Sequence, residues 1–219
     1  MAPSILSADF AYLGEAIHSV ESECSWIHVD VMDGHFVPNL TIGAPVVASV
    51  RRHTKNYLDC HLMITDPWDY LGDFAKAGAD SVSFHFEVGR TFELIKMAHD
   101  LGMKAGLAVN PDARFEDYSQ YIPHLDLLLV MSVFPGFAGQ SFIPAVLDSL
   151  RRAKELVAAS GANIILEIDG GISLETIGAS RLSGADVFVA GSAVFGKPDP
   201  AQAIRDLKQA ATRASERLK

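Results

Sequence analysis

Short apolar runs alternate along the whole chain with longer stretches in which apolar residues recur every three or four positions. The first pattern is that of a strand, the second that of an amphipathic helix. Eight strand-like runs stand out: Pro3 to Leu6, Trp26 to Val31, Tyr57 to Ile64, Ser81 to Phe86, Lys104 to Val109, Leu125 to Met131, Asn163 to Ile168 and Asp186 to Ala190. Segments between them, such as Pro67 to Lys76 and Ile143 to Ala159, carry the helical period. Eight β-then-α units in 219 residues predict an α/β fold, a closed parallel (β/α)8 TIM barrel forming a single domain over residues 1–219. Two echoes, AKAGADSVSFH and LSGADVFVAG, put Gly78 and Gly184 where a helix ends and a strand begins, the usual left-handed cap. An open doubly wound sheet shares this alternation. It calls for a GxGxxG turn after the first strand, which is missing here, and the polar residues sit at several strand ends.

Within the runs, residues two apart share a face. His28 and Asp30 therefore face one way and Ile27, Val29 and Val31 the other; in the third run Asp59, His61 and Met63 oppose Leu58, Cys60 and Leu62. The seventh run ends Glu167-Ile168-Asp169-Gly170-Gly171. With the aliphatic faces packed on helices, three strands deliver His28, Asp30, His61 and Asp169 to the C-terminal mouth of the barrel. A lone inward His is more often a hydrogen-bonded core residue, and a lone strand-end Asp more often caps the next helix. Four such groups on one rim instead read as the first shell of one divalent ion, Zn²⁺, Fe²⁺, Mn²⁺ or Co²⁺, which would also offset the cost of burying carboxylates. His85 in SFHFE, with Glu87 on its face, is read as a supporting or structural residue.

Glycine-rich segments follow the last three runs: Pro135-Gly136-Phe137-Ala138-Gly139-Gln140, Asp169-Gly170-Gly171 and Gly191-Ser192-Ala193. Glycine lets backbone N–H groups approach an anion closely, and in this fold the loops after strands seven and eight are the usual phosphate site. A short helix at Ser192 to Phe195 is expected to complete it. None of these segments contains Lys or Arg, so the cradle is expected to use neutral donors.

The net charge of −9 and the lack of a Lys/Arg cluster exclude nucleic-acid and acidic-membrane surfaces as partners. No signal-like or bilayer-length apolar stretch occurs, so the expected location is the cytoplasm, or an organellar stroma after loss of a transit peptide. The two cysteines, Cys24 in a loop and Cys60 in an apolar run, offer neither a disulfide framework nor a CxxC site.

The segments PSILSADF, HVDVMDGHFVPNLTIG, LDCHLMI, MSVFPGFAGQSFIP, EIDGGI and VFVAGSAVF, in this order and over nearly the whole chain, resemble the ribulose-phosphate 3-epimerase family. The resemblance implies interconversion of D-ribulose 5-phosphate and D-xylulose 5-phosphate with a divalent ion on His28, Asp30, His61 and Asp169. It implies Asp30 as proton acceptor and Asp169 as donor, exchanging roles in reverse. It implies substrate contacts at Ser7, His61, Gly136, Phe137, Ala138, Gly139, Asp169, Gly170, Gly171, Gly191 and Ser192, with Met32, Met63 and Met131 near the metal. A homo-oligomer serving the pentose phosphate pathway or carbon fixation is implied as well. Two positions depart from the family pattern: Phe134 stands where Asn is usual, and Ala138 replaces the middle glycine of GFGG. Allulose 6-phosphate 3-epimerase shares MDGHFVPNL and PGFAGQ, whereas Ser7 and GSAVF favour the pentose enzyme. A related decarboxylase would need Asp-x-Lys-x-x-Asp, and Asp30-Val31-Met32-Asp33 lacks the lysine. A noncatalytic sugar-phosphate sensor would bind without turnover, yet Asp30 and Asp169 are both retained. Inverting a carbon beside a ketone requires proton removal on one face and return on the other, which two carboxylates on strands two and seven could perform. The loops Asp33 to Thr41 and Phe134 to Phe142 are long enough to close over a substrate.

Overall fold

The computed structural model describes residues 1–137 and 139–216. Its eight strands are β1 (Ala2–Pro3), β2 (Trp26–Met32), β3 (Tyr57–Met63), β4 (Ser81–His85), β5 (Lys104–Val109), β6 (Leu127–Met131), β7 (Ile165–Asp169) and β8 (Val187–Ala190). They form one sheet in the order β1-β8-β7-β6-β5-β4-β3-β2, every pair parallel. A single parallel bridge between Ser4 and His28 spans the remaining gap, so the barrel is nearly closed. Around it run α1 (Leu13–Val20), α2 (Ala44–His53), α3 (Leu71–Ala77), α4 (Thr91–Asp100), α5 (Phe115–Tyr118), α6 (Val146–Ser160), α7 (Ile177–Leu182), α8 (Ser192–Phe195) and α9 (Pro200–Glu216). Among the described residues no helix is long and apolar enough to cross a membrane.

The alternation within strands sorts their side chains as the sequence predicts. Ile27, Val29, Leu58, Cys60, Leu62, Leu107, Leu128, Leu166 and Ile168 belong to the main apolar cluster shared with the helices. The barrel interior is divided. On the β5–β6 side it is apolar, with Ala108, Leu127, Leu129, Met131 and Val133 packed together. On the other side it is polar, with His28, Asp30, Asp59, His61, Ser81, Ser83, His85 and Glu167 all buried.

Some boundaries differ from the sequence pattern. The run Pro3 to Leu6 pairs only at Ala2–Pro3, and Ile5–Ser7 winds into a 3-10 turn. Ser4 is the cause: its hydroxyl accepts the Leu6 N–H at 3.3 Å, a local bond that competes with the ladder. The sixth run starts at Leu127, because the Leu125 N–H still closes the preceding turn on the Ile122 carbonyl at 3.1 Å. The segment Pro67 to Lys76 splits into a 3-10 turn, Pro67–Asp69, and α3. Gly78 then ends α3 at φ 90°, the left-handed cap read from the sequence.

Gly106 sits where β5 passes between Ser83 and Leu127; a Cβ there would lie 2.1 Å from Ser83 Oγ and 2.9 Å from Leu127 Cδ2. Gly106→Ala is therefore expected to lower unfolding stability by about 1–3 kcal/mol in denaturant titrations.

Candidate active site

The strand register brings the four candidate ligands together. His28 pairs with Asp59, Asp30 with His61, and Met131 with Asp169, so β2, β3 and β7 present their polar residues near one level. One ligand atom from each of His28, Asp30, His61 and Asp169 falls within 4.8 Å of the others. His28 Nε2 lies 3.4 Å, and His61 Nδ1 3.3 Å, from Asp30 Oδ1. Asp169 Oδ2 lies 3.9 Å from His61 Nδ1. Ligands of a tetrahedral ion bound at about 2.0–2.1 Å stand about 3.3 Å apart, so these spacings fit a divalent ion. His28 Nε2 supports that fit, since it is fully buried and has no hydrogen-bond partner. Nitrogen and oxygen donors in this mixture suit the borderline first-row ions.

The electrostatics separate the two aspartates. Burial pushes Asp30 up, but the charge and hydrogen bonds of His28 and His61 outweigh it and hold the carboxyl well below its ordinary value. Ser4 Oγ also donates to Asp30 Oδ2 at 2.5 Å. Burial, with the negative charge of Asp30 added, pushes Asp169 up to about 7. Burial draws the His28 imidazole down, but Asp30 and Asp59 raise it well above its usual value; His61 is held low, chiefly by burial. Glu167 is raised by burial and by its neighbour Asp59. His85, brought down to about 4 by burial, places Nε2 2.9 Å from His61 Nε2, the supporting position read from the sequence.

A cavity of about 570 Å³ opens above this cluster. Asp30, Asp169 and the three methionines Met32, Met63 and Met131 line its floor. Ser7, Gly136, Phe137 and Gly139 line it too, as do Gly170, Gly171, Gly191 and Ser192. His28 and His61 have no exposed surface and back the floor from within the barrel. Ala138 lies outside the described residues. Two of the glycines are also required by packing: a Cβ on Gly170, at φ 114°, would meet Val133 at 2.6 Å, and one on Gly171, at φ 60°, would meet the Phe142 backbone nitrogen at 2.7 Å. Asn39 Nδ2 donates to the Gly136 carbonyl at 3.0 Å, so the loops after β2 and β6 touch over the mouth. Phe134 holds its loop through its carbonyl, which accepts from Gln140 Nε2 at 2.6 Å, while its ring is exposed and lines none of the cavity.

Three participants escape the sequence reading. Ser4 lies inside the segment PSILSADF but is not singled out there. Asp59 shares the His61 face, but only the register reveals that it meets His28. Lys197, two positions beyond α8, is the single basic side chain lining the cavity among the described residues, against the carboxylates of Asp30, Asp169, Glu175, Asp199 and Asp206.

The sequence profile described as "Ribulose-phosphate 3 epimerase family" matches residues 1–195. The protein named "Ribulose-phosphate 3-epimerase" from Mycobacterium tuberculosis (strain ATCC 25618 / H37Rv) is 49% identical over 221 residues, spanning 100% of this chain and 95% of that protein. The "Ribulose-phosphate 3-epimerase, cytoplasmic isoform" of Oryza sativa subsp. japonica is 44% identical, across 95% of this chain and 92% of that one. Among solved structures, KGPDC from Streptococcus mutans superposes with a TM-score of 0.73 over 97% of both chains at 15% identity, a likeness of fold alone.

The pKa shifts of Asp169, Glu167 and His28 share one sign: each is raised on folding, so each contributes stability at low pH that is lost as pH rises through its folded value. For Asp169 the window runs from 3.8 to about 7. Because the lowered His61 and His85 act in the opposite sense over part of that range, the Asp169 share is read as a difference: stripped of divalent ions, the protein is expected to lose melting temperature relative to Asp169→Asn as pH rises across the window. The Asp169 contribution is on the order of 4 kcal/mol at most. Calorimetry in the presence of a chelator checks the direction; a melting temperature that rises relative to Asp169→Asn instead would contradict this charge assignment.

Proposed function

The chain belongs to the ribulose-phosphate 3-epimerase family, and on that footing we propose that it uses a divalent ion and two carboxylates to exchange D-ribulose 5-phosphate and D-xylulose 5-phosphate at C3. As a member of the family it is an isomerase, and the whole chain is read as one catalytic barrel. The observation that carries the proposal is the placement of Asp30 and Asp169, which reach the lining of one cavity from β2 and β7 and share a cluster with the buried His28 and His61.

Ionised Asp30 removes the C3 proton from one face of the substrate. Asp169 supplies the proton that is returned to the opposite face of the enediolate, and the two exchange roles in the reverse direction. His28, Asp30, His61 and Asp169 would hold the ion. When bound, a divalent ion supplies the electrophile that stabilises negative charge on the substrate's oxygens. Met32, Met63 and Met131 keep the floor apolar around the carboxylates, which limits access of water to the reacting carbon. Ser7 and His61 are proposed to contact the sugar. The segments Gly136 to Gly139, Gly170-Gly171 and Gly191-Ser192 are proposed to receive the phosphate end. Lys197 would balance the phosphate's charge against an otherwise acidic wall. A homo-oligomer is carried over from the family resemblance alone.

Asp30→Asn and Asp169→Asn are each expected to lower turnover of D-ribulose 5-phosphate by roughly 10²–10⁴-fold while the protein stays folded. Chelation should abolish turnover and re-addition of a divalent ion restore it; a chelator-resistant rate would remove the metal from the proposal. Allulose 6-phosphate, run as a competing substrate, should be turned over more slowly. Lys197→Ala should raise KM about three- to tenfold, more so at low salt, and leave kcat unchanged. A KM equal to that of the unmodified protein would release Lys197 from any substrate role.

A further inference from the structure

His28 presents its two ring nitrogens to different surroundings. Nε2 faces Asp30 without a hydrogen bond, whereas Nδ1 lies 2.7 Å from Asp59 Oδ2. Asp59 is fully buried, and its second oxygen accepts from Ser81 Oγ at 2.5 Å. The register sets His28 opposite Asp59 and Asp59 opposite Ser81, so the three form one chain across β2, β3 and β4. Glu167, the other carboxylate beside the ring, stands 3.8 Å from Nδ1, too far for a hydrogen bond. An ionised carboxylate can only accept, so a ring nitrogen bonded to it carries the proton and the lone pair falls on the other nitrogen. For His28 that lone pair is on Nε2, the atom that belongs to the cluster with Asp30. The second imidazole is supported differently: His61 turns Nδ1 toward Asp30 and meets His85, not a carboxylate, with its Nε2.

We propose that Asp59 is a positioning residue, anchored by Ser81, that holds His28 in the tautomer and ring orientation that direct Nε2 at the divalent ion. The proposal rests on the metal reading above. Asp59 does not line the substrate cavity, so it acts through His28 and touches no reacting atom. Carboxylate partners of metal-bound histidines orient the ring and raise its basicity, and their loss commonly weakens metal binding about 10–100-fold.

The test uses the full chain with Zn²⁺ as probe. Zinc affinity is measured by competition with a chromogenic chelator for the unmodified protein, Asp59→Asn and Ser81→Ala, beside the melting temperature of each metal-free form. Asp59→Asn is expected to bind Zn²⁺ about 10–100-fold more weakly, and Ser81→Ala to fall between it and the unmodified protein. The metal-free Asp59→Asn protein should still melt in one cooperative transition, so that a loss of affinity reads on the site and not on a failure to fold. In ¹⁵N-histidine spectra of the zinc-loaded parent, His28 should carry its proton on Nδ1, a readout that needs no variant. Unchanged zinc affinity in folded Asp59→Asn, a lower metal-free melting temperature without loss of affinity, or zinc on Nδ1 would each overturn the role given to Asp59. Failure of the parent itself to bind Zn²⁺ would strike at the metal reading instead, and take this proposal with it.

Discussion

Six ionisable side chains, His28, Asp30, Asp59, His61, His85 and Glu167, lie inside the barrel with almost no contact with water. Removing charges from water is among the largest unfavourable contributions a fold can contain, and it is tolerated only where the groups satisfy one another or bind an ion. Much of the upper barrel follows from this constraint. Ser4 leaves the first strand early, and its hydroxyl bonds Asp30. Ser81 does the same for Asp59. The three imidazoles form a row in which each ring has a neighbour within 5.7 Å. The apolar half of the interior, Leu127, Leu129, Met131 and Val133, then supplies the packing that the polar half cannot.

The cavity above the cluster shows the same division at a larger scale. Its floor is arranged for charge and for exclusion of water, whereas the glycines Gly136, Gly139, Gly170, Gly171 and Gly191 bring backbone to its rim. That arrangement suits a small, heavily oxygenated ligand better than an apolar one. Backbone donors in tight turns can follow the contour of an anion, and they carry no charge that would upset the balance of carboxylates below.

The fold was legible because strand periodicity is strong here and the repeat of βα units admits few topologies. The clustering of the candidate ligands was legible for the same reason: in His28-Val29-Asp30 and Asp59-Cys60-His61 the polar positions fall two apart, and a parallel register places them side by side. What stayed hidden depends on contacts between distant segments. Ser4 reaches Asp30 only because the barrel closes at that seam. Asp59 looks like another inward polar residue until its neighbour across the register is known. Lys197 enters the cavity wall through the turn after α8, outside any motif. The short β1 was overread because Pro3 to Leu6 is apolar enough for a strand, and nothing in its composition signals that Ser4 will bend the chain.

The bridge between Ser4 and His28 has a wider meaning. Among the described residues it is the one bridge that closes the sheet between the β1 segment and β2, so the sheet is thinnest where the chemistry is densest. Both residues of that seam also take part in the polar cluster, Ser4 through Asp30 and His28 directly. An ion gripped by β2, β3 and β7 would therefore fasten the cylinder as a clasp fastens a bracelet, and filling the site and completing the barrel would become one event.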